Sequence, residues 1–144
     1  MTTEPPRLVI DTNVFVSGLI SGAGAPAQIL RAIQQKRAVH IVSDPIVEEY
    51  LRVLEYPRIR KFQKITDEFI TNIAAYLIYQ TQRIELGPIT AISRDLDDDI
   101  FLQTAVDGLA AMVVSGDKAD LLSLGAVQGI SIVTAKQALV RLGL

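Results

Sequence analysis

Asp11, Glu49, Asp99 and Asp117 each fall at the end of an apolar strand-like run or on the edge of an apolar helical stripe. Asp11 follows Leu8-Val9-Ile10, and Asp117 follows Met112-Val113-Val114-Ser115-Gly116. Both therefore stand where a buried parallel strand delivers a side chain to its carboxyl end, the edge at which open α/β sheets bind ligands. Carboxylates gathered there repel one another unless a cation neutralises them, and hard divalent cations take oxygen ligands. The chemistry these residues favour is a Mg²⁺ or Mn²⁺ site.

Helical spacing selects among neighbouring acids. In the stretch after Pro45, the residues Ile46, Val47, Tyr50, Leu51 and Leu54 form an inner stripe, with Glu48, Arg52 and Glu55 on the outer face. Glu48 then pairs with Arg52 at the surface, whereas Glu49 borders the apolar face and can reach the sheet. Asp95, Asp97, Asp98 and Asp99 crowd a helix start, where the macrodipole stabilises negative charge. Capping accounts for one or two of them but not for all, and spacing from Leu102 leaves either Asp98 or Asp99 facing inward. Asp117 also reads as a helix cap, and Asp120 as a supporting or solvated acid. Thr12 and Asn13 directly follow Asp11 and offer a hydroxyl and an amide to a carboxylate, a metal-bound water or a phosphate oxygen.

Positioning these groups needs strands and helices in alternation. Apolar runs bounded by turn signals occur at Leu8–Ile10, Val39–Val42, Met112–Val114 and Ile130–Val133, with a weaker one at Arg83–Leu86 that Gly87-Pro88 ends. Helical periodicity spans Pro26–Lys36, Pro45–Glu55, Asp67–Gln82, Asp97–Ala110 and Ala135–Leu142. Pro26 and Pro45 suit first-turn positions, and Thr134-Ala135-Lys136-Gln137 is a capping-box sequence. Phe69, Ile70, Ile73, Ala74, Leu77 and Ile78 form a core stripe. The alternation predicts a single α/β domain over 1–144, with four or five parallel strands covered by helices on both faces.

The composition narrows the function. A chain of 144 residues that is 49% hydrophobic suits one well-filled core. The start Met1-Thr2-Thr3-Glu4-Pro5-Pro6 lacks signal-peptide character and no apolar run reaches transmembrane length, so a soluble cytoplasmic protein without a membrane partner is expected. Cysteine is absent and His40, in a strand-like segment, is the only histidine. Thiolate chemistry and ordinary structural zinc sites are thereby excluded, and a serine-type triad would have to be built on His40 alone.

A net charge of −2 draws no nucleic acid by itself. The basic cluster Arg52, Arg58, Arg60, Lys61 and Lys64 is either a local patch for nucleic acid or a solvated face beside a loop. Tyr56 and Phe62 beside it can stack bases or pack, whereas Tyr50 reads first as a core residue. Gly22-Ala23-Gly24-Ala25-Pro26-Ala27 matches a dinucleotide-binding pattern, but eleven residues separate it from Ile10, where the fingerprint requires direct succession.

Together Val9-Ile10-Asp11-Thr12-Asn13-Val14, the segment Ser43–Leu54 with Glu49, Asp97-Asp98-Asp99-Ile100-Phe101-Leu102 and Val114-Ser115-Gly116-Asp117-Lys118 resemble the four acidic motifs of the PIN domains. The resemblance spans nearly the whole chain, and the Asp99–Asp117 separation favours Asp99 over Asp98. It implies a three-layer α/β/α fold with strand order 3-2-1-4-5, and a Mg²⁺- or Mn²⁺-dependent endoribonuclease acting on single-stranded RNA to leave 5′-phosphate and 3′-hydroxyl ends. Asp11, Glu49, Asp99 and Asp117 would hold the metal, with Asp98 as an additional or alternative ligand and Thr12, Asn13, Ser115 and Asp120 in support. The segments Ser17–Lys36 and Leu121–Leu144 resemble a subgroup described as toxins of toxin–antitoxin pairs, which implies an antitoxin partner and a homodimer. A noncatalytic PIN-like module for RNA or protein binding is the alternative.

Overall fold

The computed structural model describes residues 4–88, 96–116, 126–127 and 129–144, with backbone alone for 96–98 and 126–127. Six strands are present among them: β1 (Arg7–Ile10), β2 (Val39–Val42), β3 (Gln82–Arg83), β4 (Met112–Val114), β5 (Ala126–Val127) and β6 (Ile130–Val133). They form one sheet in the order β3-β2-β1-β4-β6-β5. All neighbours pair in parallel except β5, which runs antiparallel to β6. The five parallel strands, counted along the chain, thus have the order 3-2-1-4-5.

β1 lies at the centre with a partner on either side, so Leu8, Val9 and Ile10 are all fully buried. A strand covered on both faces reads as a continuous apolar run, as this one does. Each such side chain contributes about 1.5–3 kcal/mol by leaving water. The weak run at Arg83–Leu86 supplies a strand two residues long, Gln82–Arg83, at the sheet edge. β5 was not expected; the turn into β6 carries Gly129 at φ 82°, a backbone conformation that suits glycine.

The helices among the described residues are α1 (Thr12–Ile20), α2 (Ala25–Gln34), α3 (Asp44–Leu54), α4 (Pro57–Arg60), α5 (Asp67–Tyr79), α6 (Leu96–Asp107) and α7 (Ala135–Arg141). The Thr134 box is formed, with Thr134 Oγ1 accepting from Gln137 N and Gln137 Oε1 accepting from Thr134 N. Two helices, α1 and α4, fall outside the predicted ones. The sequence of α1, Thr-Asn-Val-Phe-Val-Ser-Gly-Leu-Ile, is poor in strong helix formers, and burial of Val14, Phe15 and Val16 overrides that preference. Gly18 allows α2 to approach: a Cβ there would lie 3.0 Å from the Pro26 carbonyl oxygen and 2.8 Å from Leu30 Cδ1.

In α5 the expected inner stripe is shifted. Leu77 is buried, but Ile78 is 60% exposed, and Tyr76 points into the core instead. No single helix among the described residues is long and apolar enough to cross a membrane.

Candidate active site

The carboxyl ends of three adjacent strands meet in register. Ile10 is aligned with Val114 and Val114 with Val133, so the next residues, Asp11, Ser115 and Thr134, stand side by side along the sheet edge. Backbone bonds fix this alignment, from Asp11 N to Val114 O and from Ser115 N to Val133 O, both 2.8 Å. Asp11 and Ser115 are fully buried, and Ser115 Oγ donates to Asp11 Oδ2 at 3.1 Å. A carboxylate withdrawn from water is costly unless neighbours compensate it, which marks Asp11 as more than surface charge.

Glu49 reaches the same corner from α3. The Thr12 hydroxyl, one residue past Asp11, donates to Glu49 Oε2 and so links the start of α1 to α3. Glu48 is exposed and the Glu49 side chain only 14% exposed, as helical spacing predicts. Arg52, however, forms its ion pair with Glu49, at 3.7 Å, and not with Glu48 as its spacing implied. Asp99, in the first turn of α6, is 1% exposed. α6 packs against both β1 and α3. It is tied to the end of β2 by Ser43 Oγ and Thr104 Oγ1, 2.8 Å apart, with Thr104 donating in turn to Ile100 O. The Asp98 side chain, Asp117 and Asp120 lie outside the described residues.

Beneath these acids runs a buried polar chain that the sequence did not announce. Tyr50 donates to the carbonyl of Ile10, His40 Nε2 lies 3.1 Å from the Tyr50 hydroxyl, and His40 Nδ1 lies 2.9 Å from the Tyr76 hydroxyl. Burial holds His40 neutral, with its pKa pushed down to about 3. Hydrogen counting then sets every direction. A carbonyl only accepts, so Tyr50 must donate to Ile10; its oxygen accepts from Nε2–H; and Nδ1, without a proton, accepts from Tyr76. Burial, followed by the charges of Tyr76, Asp11 and Glu49, raises the Tyr50 pKa, which keeps the donor protonated. Phe15 stacks on Tyr50 with centroids 4.2 Å apart. Tyr50 thus anchors the residue before Asp11 while standing next to Glu49 in the chain, and it is fully buried and unavailable for base stacking.

The predicted basic patch is less uniform than its sequence. Arg60 is engaged by both Glu55, at 3.4 Å, and Asp67, and Arg52 by Glu49. Arg58 lies over the Tyr56 ring at 5.5 Å and Lys64 over Phe69 at 5.7 Å. Of the cluster, Arg58 lines a cavity of about 330 Å³ beside the site, together with Asn13, Ser17, Ile59 and Phe62. A second cavity of about 550 Å³ lies across Asn13 and Ser17, bounded by Ser115, Gly116, Pro26 and Thr134–Lys136.

The donors at this edge are carboxylate and hydroxyl oxygens, and His40 is consumed by its two tyrosines. That chemistry suits a hard divalent cation. Among the described residues, no three acids form a group that could by itself hold an ion.

The chain is 32% identical over 120 residues to the uncharacterized protein MJ1680 of Methanocaldococcus jannaschii, covering 82% of this chain and 74% of that one. Its fold is similar to VapBC2 from Rickettsia felis, solved bound to a DNA fragment from the promoter, with TM-score 0.56 and 10% identity over 88% of this chain and 96% of that one. It is also similar to VapC20 of Mycobacterium tuberculosis, described as a sarcin–ricin loop cleaving toxin, with TM-score 0.52 and 13% identity over 86% and 98% of the two chains. The family model for the PIN domain matches residues 7–119, across all of β1 to β4, and the chain belongs to the PIN domain family.

Proposed function

We propose that this protein is a metal-dependent endoribonuclease that hydrolyses phosphodiester bonds of single-stranded RNA. The observation that carries the reading is Asp11, a fully buried carboxylate at the carboxyl end of the central strand, held by Ser115 and flanked by a Glu49 that Thr12 orients. Such burial and support keep a ligand in one geometry before any cation arrives. Asp11, Glu49, Asp99 and Asp117 would hold Mg²⁺ or Mn²⁺, with Asp98 as a further ligand and Asp120 in support. The ion would lower the pKa of an attacking water and neutralise charge on the phosphoryl oxygens.

This chain's own residues supply position. Ser115 and Thr12 fix the two carboxylates, and the His40–Tyr50 chain fixes the backbone that carries Asp11. Exposed Asn13 faces both neighbouring cavities, where it can donate to a phosphate oxygen. The fold likeness to VapC20 and VapBC2 supports extending the reading to the toxin of a toxin–antitoxin pair, with an antitoxin protein as partner; a homodimer is the assembly that the family resemblance implies.

Cleavage of single-stranded RNA oligonucleotides with Mg²⁺ or Mn²⁺ tests the catalytic reading, using the native chain, Asp11→Asn and Asp117→Asn. The native chain should cut and leave 5′-phosphates, and both variants should be nearly inactive. Equal activity in all three would sink the assignment.

A further inference from the structure

The larger cavity contains a cation whose position the fold itself does not favour. Lys136 is in the first turn of α7, where backbone amides carry partial positive charge and a cation is repelled. No acidic residue shares that turn, and Lys136 has no ion pair or hydrogen bond among the described residues. The capping of α7 is complete without it, through Thr134 and Gln137. Among the described residues its charge serves neither the helix nor a neighbouring acid, yet its side chain lines the 550 Å³ cavity with Asn13, Ser17 and Ser115.

Register ties this cavity to the acids. Asp11, Ser115 and Thr134 follow the last aligned residues of β1, β4 and β6, so Thr134 stands two strand spacings from Asp11, roughly 10 Å. Ser115 joins the two places, holding Asp11 with its hydroxyl while lining the cavity. Asn13 and Ser17, both exposed on α1, separate this cavity from the one lined by Arg58 and Phe62. A strand crossing α1 over Asp11 would thus meet hydroxyl and amide donors on the helix and a cation at the far end.

We propose that Lys136 and the cavity around it form a subsite for a backbone phosphodiester of single-stranded RNA, flanking the phosphate that is cut. The ligand is the anionic sugar–phosphate backbone, not a base, because Lys136 acts as a point charge and the neighbouring donors are small hydroxyls and one amide. The subsite rests on the nuclease reading for its substrate, but it is a separate claim about binding.

The test measures binding and cleavage separately. With Asp11→Asn present to prevent cutting, the affinity for a fluorescein-labelled oligouridylate is followed by anisotropy across a potassium chloride series, with and without Lys136→Ala. Loss of one phosphate contact should weaken binding by about fivefold to tenfold near 0.1 M salt and reduce the log–log salt slope by about 0.7. Lys136→Arg should restore both. With Asp11 intact, Lys136→Ala should raise KM for RNA and largely spare kcat. Its thermal midpoint should be equal to or above the native one, because a repelled cation has left the helix start; a structural role would lower it. Unchanged affinity, slope and KM in Lys136→Ala, with native cleavage intact, overturn the subsite alone. Lys136-dependent binding without cleavage by the native chain upholds the subsite and removes the nuclease reading. A native chain that neither binds nor cuts the strand overturns both.

Discussion

The acids at the carboxyl edge and the basic stretch from Arg52 to Lys64 are both charge clusters, but the fold treats them in opposite ways. Asp11 and Asp99 are buried to 0% and 1% exposure, and Asp11 receives a hydroxyl from another strand end. The Arg52 side chain is 58% exposed, and Arg60 is shared between two carboxylates of its own neighbourhood. The basic stretch gathers five cations within thirteen residues, yet the buried acids bear the larger desolvation cost. Charge retained at such a cost marks a site better than charge that is merely abundant. The same reasoning singles out Lys136, one lysine in an unfavourable place, over the richer cluster.

The largest effect should come from the acids. Asp11→Asn keeps the shape of the buried side chain while removing its charge, and should lower RNA cleavage by about 10²–10³-fold. Circular dichroism should show the same fold. If the loss is less than a few-fold, the burial of Asp11 is structural and the contrast with the basic stretch collapses.

Next is the polar chain under the site. Tyr50→Phe leaves the Ile10 carbonyl and His40 Nε2–H without their partner and should cost about 1–3 kcal/mol, read from urea unfolding. A neutral result would mean that water replaces the hydroxyl, and that the backbone before Asp11 is held by β-pairing alone.

His40 carries a pH signature of similar origin. Its folded pKa, about 3, lies below the unfolded value of 6.5, so below pH 6.5 the unfolded chain binds a proton that the folded chain refuses. The resulting stability is complete above pH 6.5 and is lost as pH falls towards 3, at about 1.4 kcal/mol per unit. Because His40 is the only histidine, its ring nitrogen NMR shifts are unambiguous and should report a neutral Nε2–H tautomer at pH 5. A midpoint near 6 would show that the chain is open to water.

The smallest effect should come from Arg60→Ala. Its guanidinium is already engaged by Glu55 and Asp67, so KM for RNA should scarcely change, in contrast to Lys136→Ala. A KM increase equal to that of Lys136→Ala would restore the basic stretch as the main RNA contact.

Much of the framework was legible because its signals are local. The apolar runs at Val39–Val42, Met112–Val114 and Ile130–Val133 became strands with those bounds, since buried parallel strands demand apolar residues throughout. The capping box at Thr134 formed because its partners are three residues apart. Helix α1 was not legible, since its residues favour helix weakly and the packing that stabilises it comes from elsewhere in the chain. Within the site, the choice of Glu49 over Glu48 followed from helical periodicity, whereas the Thr12–Glu49 hydrogen bond depended on where α3 lies against α1.

The sequence by itself determined an α/β chain with acids at strand and helix ends, because period and composition are properties of neighbouring residues, and its four acidic motifs carried the resemblance to PIN domains. Only the tertiary structure decided what compensates those acids and what faces them. Ser115 meets Asp11 across 104 positions, Tyr50 reaches Ile10 across 40, and Lys136 shares a cavity with Asn13. Such contacts arise from strand register and helix packing, which bring together residues that no local pattern connects.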